Sequence, residues 1–367
     1  MKKRKFGTII AIVLLCALLA GCGKKNENLE KGMQAIAQLD YAQALSDFAA
    51  AESAGEQKRL VARGKGIAYM GLTQYEEALA CFREALQLSD GWVQPLDYDL
   101  NYYLAAASAK CGLYEDADEI YNAILAMRPQ ETDAYFLRGN VRLALSEKEA
   151  AIEDFDKVQS MTPEDYDRLI QIYEVLANYG YFTEGKEYLY AALGVTSPQE
   201  DGQGKIDASS YEKSSSFAKM SDYDKGRIFY YLEDYEKAYT YLEEASKKGG
   251  ALASLYLGRS YEATGDYNYA ANVYQAYLAK DTQNAEIYNQ LGLCEMTRKN
   301  YDKALEAFEA GLNLNDSAMQ QSLSFTEVVA YEYLGDFRKA AVLMEAYLKN
   351  YPDDEKAKRE YDFLSTR

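Results

Sequence analysis

Small and apolar residues recur along most of the chain at spacings of three, four and seven, the period of helices packed on one face. The pattern is clearest in Tyr41-x2-Ala44-x3-Phe48-x2-Ala51 and Tyr75-x2-Ala78-x3-Phe82-x2-Ala85, which superimpose at an offset of 34 residues, each with a glycine nine residues upstream, Gly32 or Gly66. The same order returns at Tyr114, Ala117 and Tyr121; at Gly139, Ala151, Phe155 and Pro163; and, weaker, at Phe182 and Leu189. After an interruption it resumes at Gly226, Tyr235, Ala238 and Leu242, at Gly258, Tyr267, Ala270 and Tyr274, at Gly292, Tyr301, Ala304 and Phe308, and at Phe337, Ala340, Met344 and Pro352. Nine copies result, with four intervals of 34 residues and others of 39, 53, 32 and 36. Each copy predicts two helices, A and B, neither of which can bury its apolar stripe alone, so the copies must stack. Small residues such as Gly66 and Ala78 let the helices approach while Tyr75 and Phe82 fill the space between neighbours. Gly265-Asp266 and Gly335-Asp336 read as turns between the two helices, because glycine accepts the left-handed backbone that ends a helix. In the fourth copy, Arg138 and Asp154 fall on facing helices and predict an ion pair inside the repeat.

Three departures subdivide the array. The fifth copy carries Tyr173 where its siblings have glycine and Gly185 where they have alanine. The 53-residue interval that follows contains Pro198, Asp201-Gly202-Gln203-Gly204 and Ser214-Ser215-Ser216, a composition that favours a loop, with a short helix available between Tyr211 and Met220. This divides the chain into repeats 1 to 5 (29–193), a linker (194–221) and repeats 6 to 9 (222–354). A smaller insertion from Asp90 to Leu100, with Trp92 and Pro95, lengthens the turn between copies 2 and 3. The last stretch (355–367) begins with a charged segment, Glu355 to Leu364, that reads as a helix capping the final repeat.

The 34-residue order of glycine, aromatic, alanine and proline resembles the tetratricopeptide repeat over roughly residues 25 to 354. The resemblance implies an all-α, right-handed solenoid of about nine helical hairpins whose inner face, lined by the A helices, holds an extended peptide or a partner helix. Carried over position by position, that face falls on Met33, Ile36, Arg63, Ile67, Met70, Tyr102, Lys110, Phe136 and Asn140 in the first block. In the second it falls on Tyr223, Arg227, Tyr230, Tyr231, Arg259, Met296, Phe325 and Tyr333. Tyrosine, methionine and arginine are enriched at interface hot spots, and Tyr102, Phe136, Asn140, Tyr223, Arg227, Tyr230, Tyr231 and Arg259 form the candidate partner groove. Arg227 and Arg259 hold one position in successive repeats, so they are expected side by side as a grip on a carboxylate or acidic peptide. The carboxylate clamp of chaperone-binding relatives is not reproduced; Asn140 alone does not make one. The 35 tyrosines also allow a sugar-stacking platform around Tyr230 and Tyr231, although 15 of them occupy packing positions of the repeat.

The amino terminus follows a different logic. Lys2, Lys3, Arg4 and Lys5 precede an apolar run from Thr8 to Ala20 that is too short to span a bilayer as a stable helix. The run closes on Leu19-Ala20-Gly21-Cys22, which resembles a bacterial lipobox. That resemblance implies cleavage of a signal peptide (1–21), a covalent diacylglycerol on Cys22 and a polar tether (22–28). Two acyl chains suffice for lasting attachment to the outer face of a membrane. Gly23 is not the aspartate that retains lipoproteins in the inner membrane of some two-membrane bacteria. Gly23-Lys24-Lys25 resembles single-membrane tethers, and an outer-membrane position fits a two-membrane source.

Composition removes most other chemistry. The 367 residues contain no histidine, which excludes imidazole bases and histidine-ligated metals. Beyond the four leading cations, 36 basic residues face 58 acidic ones, and a body of net charge −22 repels nucleic acid. Cys81, Cys111 and Cys294 form no C-x-x-C pair and are expected as buried free thiols. Carboxylate pairs such as Glu76-Glu77 and Glu243-Glu244 sit on solvated faces, and there is no phosphate loop, nucleophile elbow or metal-spaced ligand set. The expectation is a non-catalytic, cofactor-free, membrane-anchored extracytoplasmic scaffold whose partner is another protein. The alternatives are a lipoprotein that captures an envelope glycan or peptide, or a component of a secretion or appendage assembly machine.

Overall fold

A computed structural model describes residues 26–195 and 207–367. The signal peptide, Cys22 and the start of the tether lie outside the described residues, as do residues 196–206 of the expected linker. The described residues hold α-helices, one 3-10 turn and no strand.

Two compact units divide at Pro163/Glu164. The first contains four hairpins: α1 (Glu27–Ala37) with α2 (Tyr41–Ser53), α3 (Lys58–Gly71) with α4 (Tyr75–Gln87), α5 (Pro95–Lys110) with α6 (Tyr114–Met127), and α7 (Thr132–Ala144) with α8 (Lys148–Met161). The second opens with α9 (Tyr166–Asn178) and α10 (Phe182–Ala192). It continues through α11 (Ser215–Lys219) to α12 (Asp222–Tyr231) with α13 (Tyr235–Lys247), α14 (Ala251–Ala263) with α15 (Tyr267–Leu278), and α16 (Ala285–Thr297) with α17 (Tyr301–Leu312). The final hairpin, α18 (Gln320–Leu334) with α19 (Phe337–Asn350), is covered by α20 (Glu355–Leu364), which buries Ala357 and Leu364. Nine hairpins and a capping helix are thus present, as the repeat pattern predicts.

One local device closes every hairpin. At the end of each A helix a single residue turns left-handed: Leu39, Thr73, Gly112, Ser146, Gly180, Glu233, Gly265, Lys299 and Gly335, with φ between 60° and 82°. The next N–H then donates to the carbonyl five residues back, as in Asp40 to Ala35 and Asp336 to Tyr331, at 2.8–3.0 Å in all nine turns. This double reversal satisfies the last carbonyls of helix A and starts helix B in register. Asp40 and Asp336 complete the turn by accepting from the backbone N–H of Gln43 and Lys339.

The helix pair is held by a small-against-large contact sixteen residues apart. The ring of Phe48, Phe82, Phe155, Tyr274 or Phe308 lies directly on Gly32, Gly66, Gly139, Gly258 or Gly292 of the preceding helix, and Leu242 does the same on Gly226. Those five rings are almost wholly buried, as are Ala44, Ala51, Ala78 and Ala85 at the same seams. In the fifth hairpin the polarity is reversed: Tyr173 on helix A packs against Gly185 on helix B, so the fifth copy keeps a helix pair by exchanging the sizes. In the fourth, the guanidinium of Arg138 donates to Asp154, Nε at 2.9 Å, and Arg142 joins Asp154 and Asp118 at 3.0 Å, which realises the expected ion pair as a network.

Several expectations are corrected. The units part at Pro163/Glu164 and not within 194–221, so the fifth repeat belongs with the second block. Residues 207–221 are a packed segment and not a linker: Tyr211, Phe217 and Met220 are buried against hairpin six. Tyr211 meets Phe217 edge-on at 4.7 Å, both meet Phe229, and Ser214 caps α11 through the N–H groups of Ser216 and Phe217. The stretch from Pro95 to Leu100 adds turns to α5 instead of lengthening a loop, because Gln94 and Asp97 form a capping box that starts the helix there. Of the three thiols only Cys294 is buried; Cys81 and Cys111 are half-buried, and none of the three is in a disulfide.

Candidate functional site

The first-block groove residues are mostly structural. Phe136 is buried and its ring lies 6.0 Å from Phe155 within hairpin four, while Asn140 donates to the Phe136 carbonyl at 2.7 Å. Tyr102 stands edge-on to Tyr121 at 6.1 Å with its hydroxyl buried and unpartnered, and burial raises its pKa. Arg63 is likewise enclosed, paired with Asp99 and set over Tyr103 at 5.3 Å. A cavity of about 340 Å³ between α4, α5 and α6 lies elsewhere; its wall carries Arg83 together with Asp116 and Glu119, and it contains none of the groove residues.

The second-block residues converge. Arg227 and Arg259 both come near one ring, each guanidinium 5.9 Å from the centroid of Tyr256. Neither is a free grip on a carboxylate. Arg227 is only 7% exposed and is paired with Asp167 of α9 and, at 3.3 Å, with Asp224, while its guanidinium lies 4.5 Å over Tyr223. Arg259 reaches Glu286 at 3.4 Å. These arginines neutralise the protein's own acids, so the expected carboxylate recognition is corrected: the ion pairs are internal.

What remains open is tyrosine and glutamate. Tyr230 lies 5.2 Å from Tyr231, 6.1 Å from Tyr235 and 5.5 Å from Tyr256, all near-perpendicular, and Tyr231 meets Tyr173 of α9 at 5.4 Å. The Tyr231 hydroxyl donates to the Glu174 carboxylate and lies 3.0 Å from the Tyr256 hydroxyl. Burial first, and then the bond to Glu174, raise the pKa of Tyr231; burial raises Tyr223 to about 12 against the opposing pull of Arg227. Tyr173, Tyr223, Tyr230, Tyr231 and Tyr235, all raised by burial, are therefore neutral phenols at physiological pH. Between α9 and α12 these groups enclose an open cleft of about 440 Å³, whose wall includes Tyr173, Glu174, Asn178, Tyr230, Tyr231 and Glu233. That volume is within the ordinary range for a small-group site, about 300–1,000 Å³.

The cleft exists because the stack changes its step here. Elsewhere in the second unit each B helix packs along the next A helix. Between hairpins five and six the 207–221 segment takes that place on one side of α12, through Phe229 and Tyr241, and leaves the opposite side, with Tyr230 and Tyr231, open toward α9. Sequence reasoning singled out Tyr230 and Tyr231, which line this cleft, but not Tyr173 and Glu174 beside them; the signal available was the departure of Tyr173 from the glycine of the repeat. Among the described residues no group of three or more acidic or cysteine side chains could hold a metal ion, and no helix is long and apolar enough to cross a membrane.

Stacked two-helix hairpins closed by one repeated turn define a repeat scaffold, and comparison with known proteins gives the class its name. The family description "Tetratricopeptide repeat" matches residues 63–130, 110–166, 223–285 and 257–318, with a second model of the same description at 328–354, together more than half of the chain. The chain belongs to the tetratricopeptide repeat family. Curated relatives include "RNA polymerase II-associated protein 3" from Mus musculus, 29% identical over 111 residues, 30% of this chain and 16% of the relative. Its namesake from Xenopus tropicalis is 23% identical over 232 residues, 62% of this chain and 29% of the relative, so the chain spans less than a third of the length of either. Among solved structures, a tetratricopeptide repeat protein from Parabacteroides merdae is 14% identical with a TM-score of 0.44, covering 76% of this chain and 98% of that one. MamA from Desulfovibrio magneticus is 20% identical with a TM-score of 0.39, covering 46% and 93%. Tetratricopeptide repeats generally bind other proteins and do not themselves catalyse reactions, and neither matching description is that of an enzyme.

Proposed function

We propose that this protein is a membrane-tethered extracytoplasmic scaffold that holds another protein on the A-helix face of its second unit, with a diacylglycerol on Cys22 as the tether. The observation that carries the binding half is the cleft between α9 and α12, a concave break in an otherwise regular stack, walled by the residue type most favoured at interface hot spots. The tether half is supported by the order of basic, apolar and Leu19-Ala20-Gly21-Cys22 segments. Tethering raises the local concentration at which partners meet, so a modest cleft suffices.

The test is site-directed photo-crosslinking in cells with a photoreactive residue at Asn178, on the cleft wall, and a control at Glu76 on α4 of the first unit. Capture of one discrete envelope protein from Asn178 but not from Glu76 is the expected result. Equal capture at both positions, or self-links alone, defeats the scaffold reading. In parallel, Cys22→Ala should move the protein from the detergent phase to the aqueous phase; a mutant still recovered with detergent removes the lipid anchor.

A further inference from the structure

The charge of the cleft narrows what it accepts. Both arginines near the tyrosine cluster are paired with Asp167, Asp224 and Glu286, and among the described residues no lysine or arginine lines the cavity. Its two carboxylates, Glu174 and Glu233, are both exposed. Glu174 accepts from the Tyr231 hydroxyl, and Glu233 holds no ion pair among the described residues. Glu233 also occupies the left-handed turn position, φ 63°, which fixes its Cα at the mouth of the cleft between Tyr231 and Tyr235. Around the acids stand four phenol rings whose π faces carry negative potential. After burial, the negative charge of Glu233 is the next cause that raises the pKa of both Tyr173 and Tyr235 at the Glu233 rim, while Arg259 acts in the opposite sense on Tyr230.

An anion entering here meets two carboxylates with no counter-charge in the wall. A neutral sugar could stack on the rings but would leave the two carboxylates without a counter-ion. A cation satisfies both features at once: its charge rests between Glu174 and Glu233 while its alkyl stem or guanidinium plane lies on tyrosine. We infer that the cleft between α9 and α12 receives a basic side chain, lysine or arginine, from the partner polypeptide. This rests on the scaffold reading above and reverses the polarity that Arg227 and Arg259 imply from sequence.

Titration calorimetry of the full chain with acetylated pentalysine and pentaarginine, against pentaglutamate, reads this directly. A body of net charge −22 attracts any polycation, so the controls carry the weight. Glu174→Gln with Glu233→Gln, both exposed and harmless to packing, should weaken pentalysine at least about tenfold in 150 mM salt. Glu76→Gln with Glu77→Gln, which removes the same charge on α4, should change affinity less than about twofold. Tyr230→Leu, which keeps the charge and removes a ring, should also weaken binding; if that variant proves misfolded by circular dichroism, the two glutamine pairs decide alone. Equal losses in the two pairs, or tighter binding of pentaglutamate, overturn the proposal. If the peptide result fails while crosslinks from Asn178 still name one partner, the scaffold stands and only the cationic preference falls.

Discussion

Substituting Gly139 by alanine puts two effects of known sign against each other at one atom. In an isolated helix the change is favourable by about 1 kcal/mol, because alanine is the better helix former. In this hairpin a Cβ at Gly139 comes 2.6 Å from Cε1 and 2.9 Å from Cζ of Phe155, and the ring is fully buried with nowhere to withdraw. Carbon atoms rest at about 3.5–4.0 Å, so the ring or helix α8 must retreat by about 1 Å. Overpacking of that order costs about 1–3 kcal/mol, which exceeds the propensity gain. Gly139→Ala should therefore lower stability by about 1 kcal/mol. Phe155→Leu alone should lose more, through the cavity it leaves. In the double variant the new methyl occupies part of that cavity, so the combined loss should fall short of the sum by about 1 kcal/mol. Urea denaturation followed by circular dichroism, fitted for the transition of the first unit because solenoids can unfold in stages, measures all three. If Gly139→Ala stabilises, or if the two changes are additive, the small-against-large contact is not what sets the distance between the helices of a hairpin.

Two further effects follow from particular residues. Thr73 and Lys299 hold the left-handed turn position that glycine holds in four other hairpins, and no neighbouring atom lies within 4 Å of a Cβ built at Gly335. Thr73→Gly and Lys299→Gly should each raise the urea midpoint by the equivalent of about 0.5–1 kcal/mol, with Gly335→Ala lowering it similarly; the opposite signs would mean that backbone strain does not govern the turn. At the cap, burial and then the adjacent Glu360 carboxylate raise Glu332 on α18 to about 7. Since its folded pKa lies above the unfolded value of about 4.3, the stability it contributes is present below that value and is lost as pH rises through 7. Glu332→Gln should therefore leave the melting temperature at pH 4 unchanged and raise it at pH 8, by about 1 kcal/mol or less given partial exposure; equal shifts at both pH values count against the titration.

The repeat was legible because its determinants are local. The turn, the aromatic that opens helix B and the glycine sixteen residues before its buried ring all recur at fixed distances, so the intervals of 34, 39, 34, 34, 53, 32, 34 and 36 between copies are also the intervals between the nine left-handed residues. The cleft was legible only in part. Tyr230 and Tyr231 follow from register on helix A, but the partner of Arg227 is sixty residues away, on Asp167, across an insertion that no repeat register spans. The packing role of Tyr211, Phe217 and Met220 was hidden for the same reason: their spacing matches neither helix of the repeat, and their glycine- and serine-rich surroundings read as a loop. Arg227 and Arg259 show the general hazard, since a side chain at a family's binding position is indistinguishable in sequence from one already engaged by its neighbours.

The insertion and the cleft are two sides of one arrangement. On α12, Phe229 faces the inserted segment and stacks on Tyr241 at 5.8 Å, while the next two residues, Tyr230 and Tyr231, turn to the opposite side and meet α9 and α14. Lys225 and Lys237 hold the inserted side by lying over Phe217 at 4.4 Å and Phe229 at 5.3 Å. Had helix α10 packed along α12 in the regular way, α9 would have followed it and closed on Tyr231, with Tyr173 as filler. Instead a larger spacer enters on one side, and on the other Tyr173 meets Tyr231 at 5.4 Å beside open volume, with two polar ties, the Tyr231 to Glu174 hydrogen bond and the Arg227 to Asp167 pair. Both ties are polar contacts at the edge of solvent, and such contacts are individually weak and readily exchanged. The one irregular step among the described residues of the second unit is thus also where, on the proposed reading, a partner's side chain would replace an internal contact without disturbing the buried seams of the hairpins.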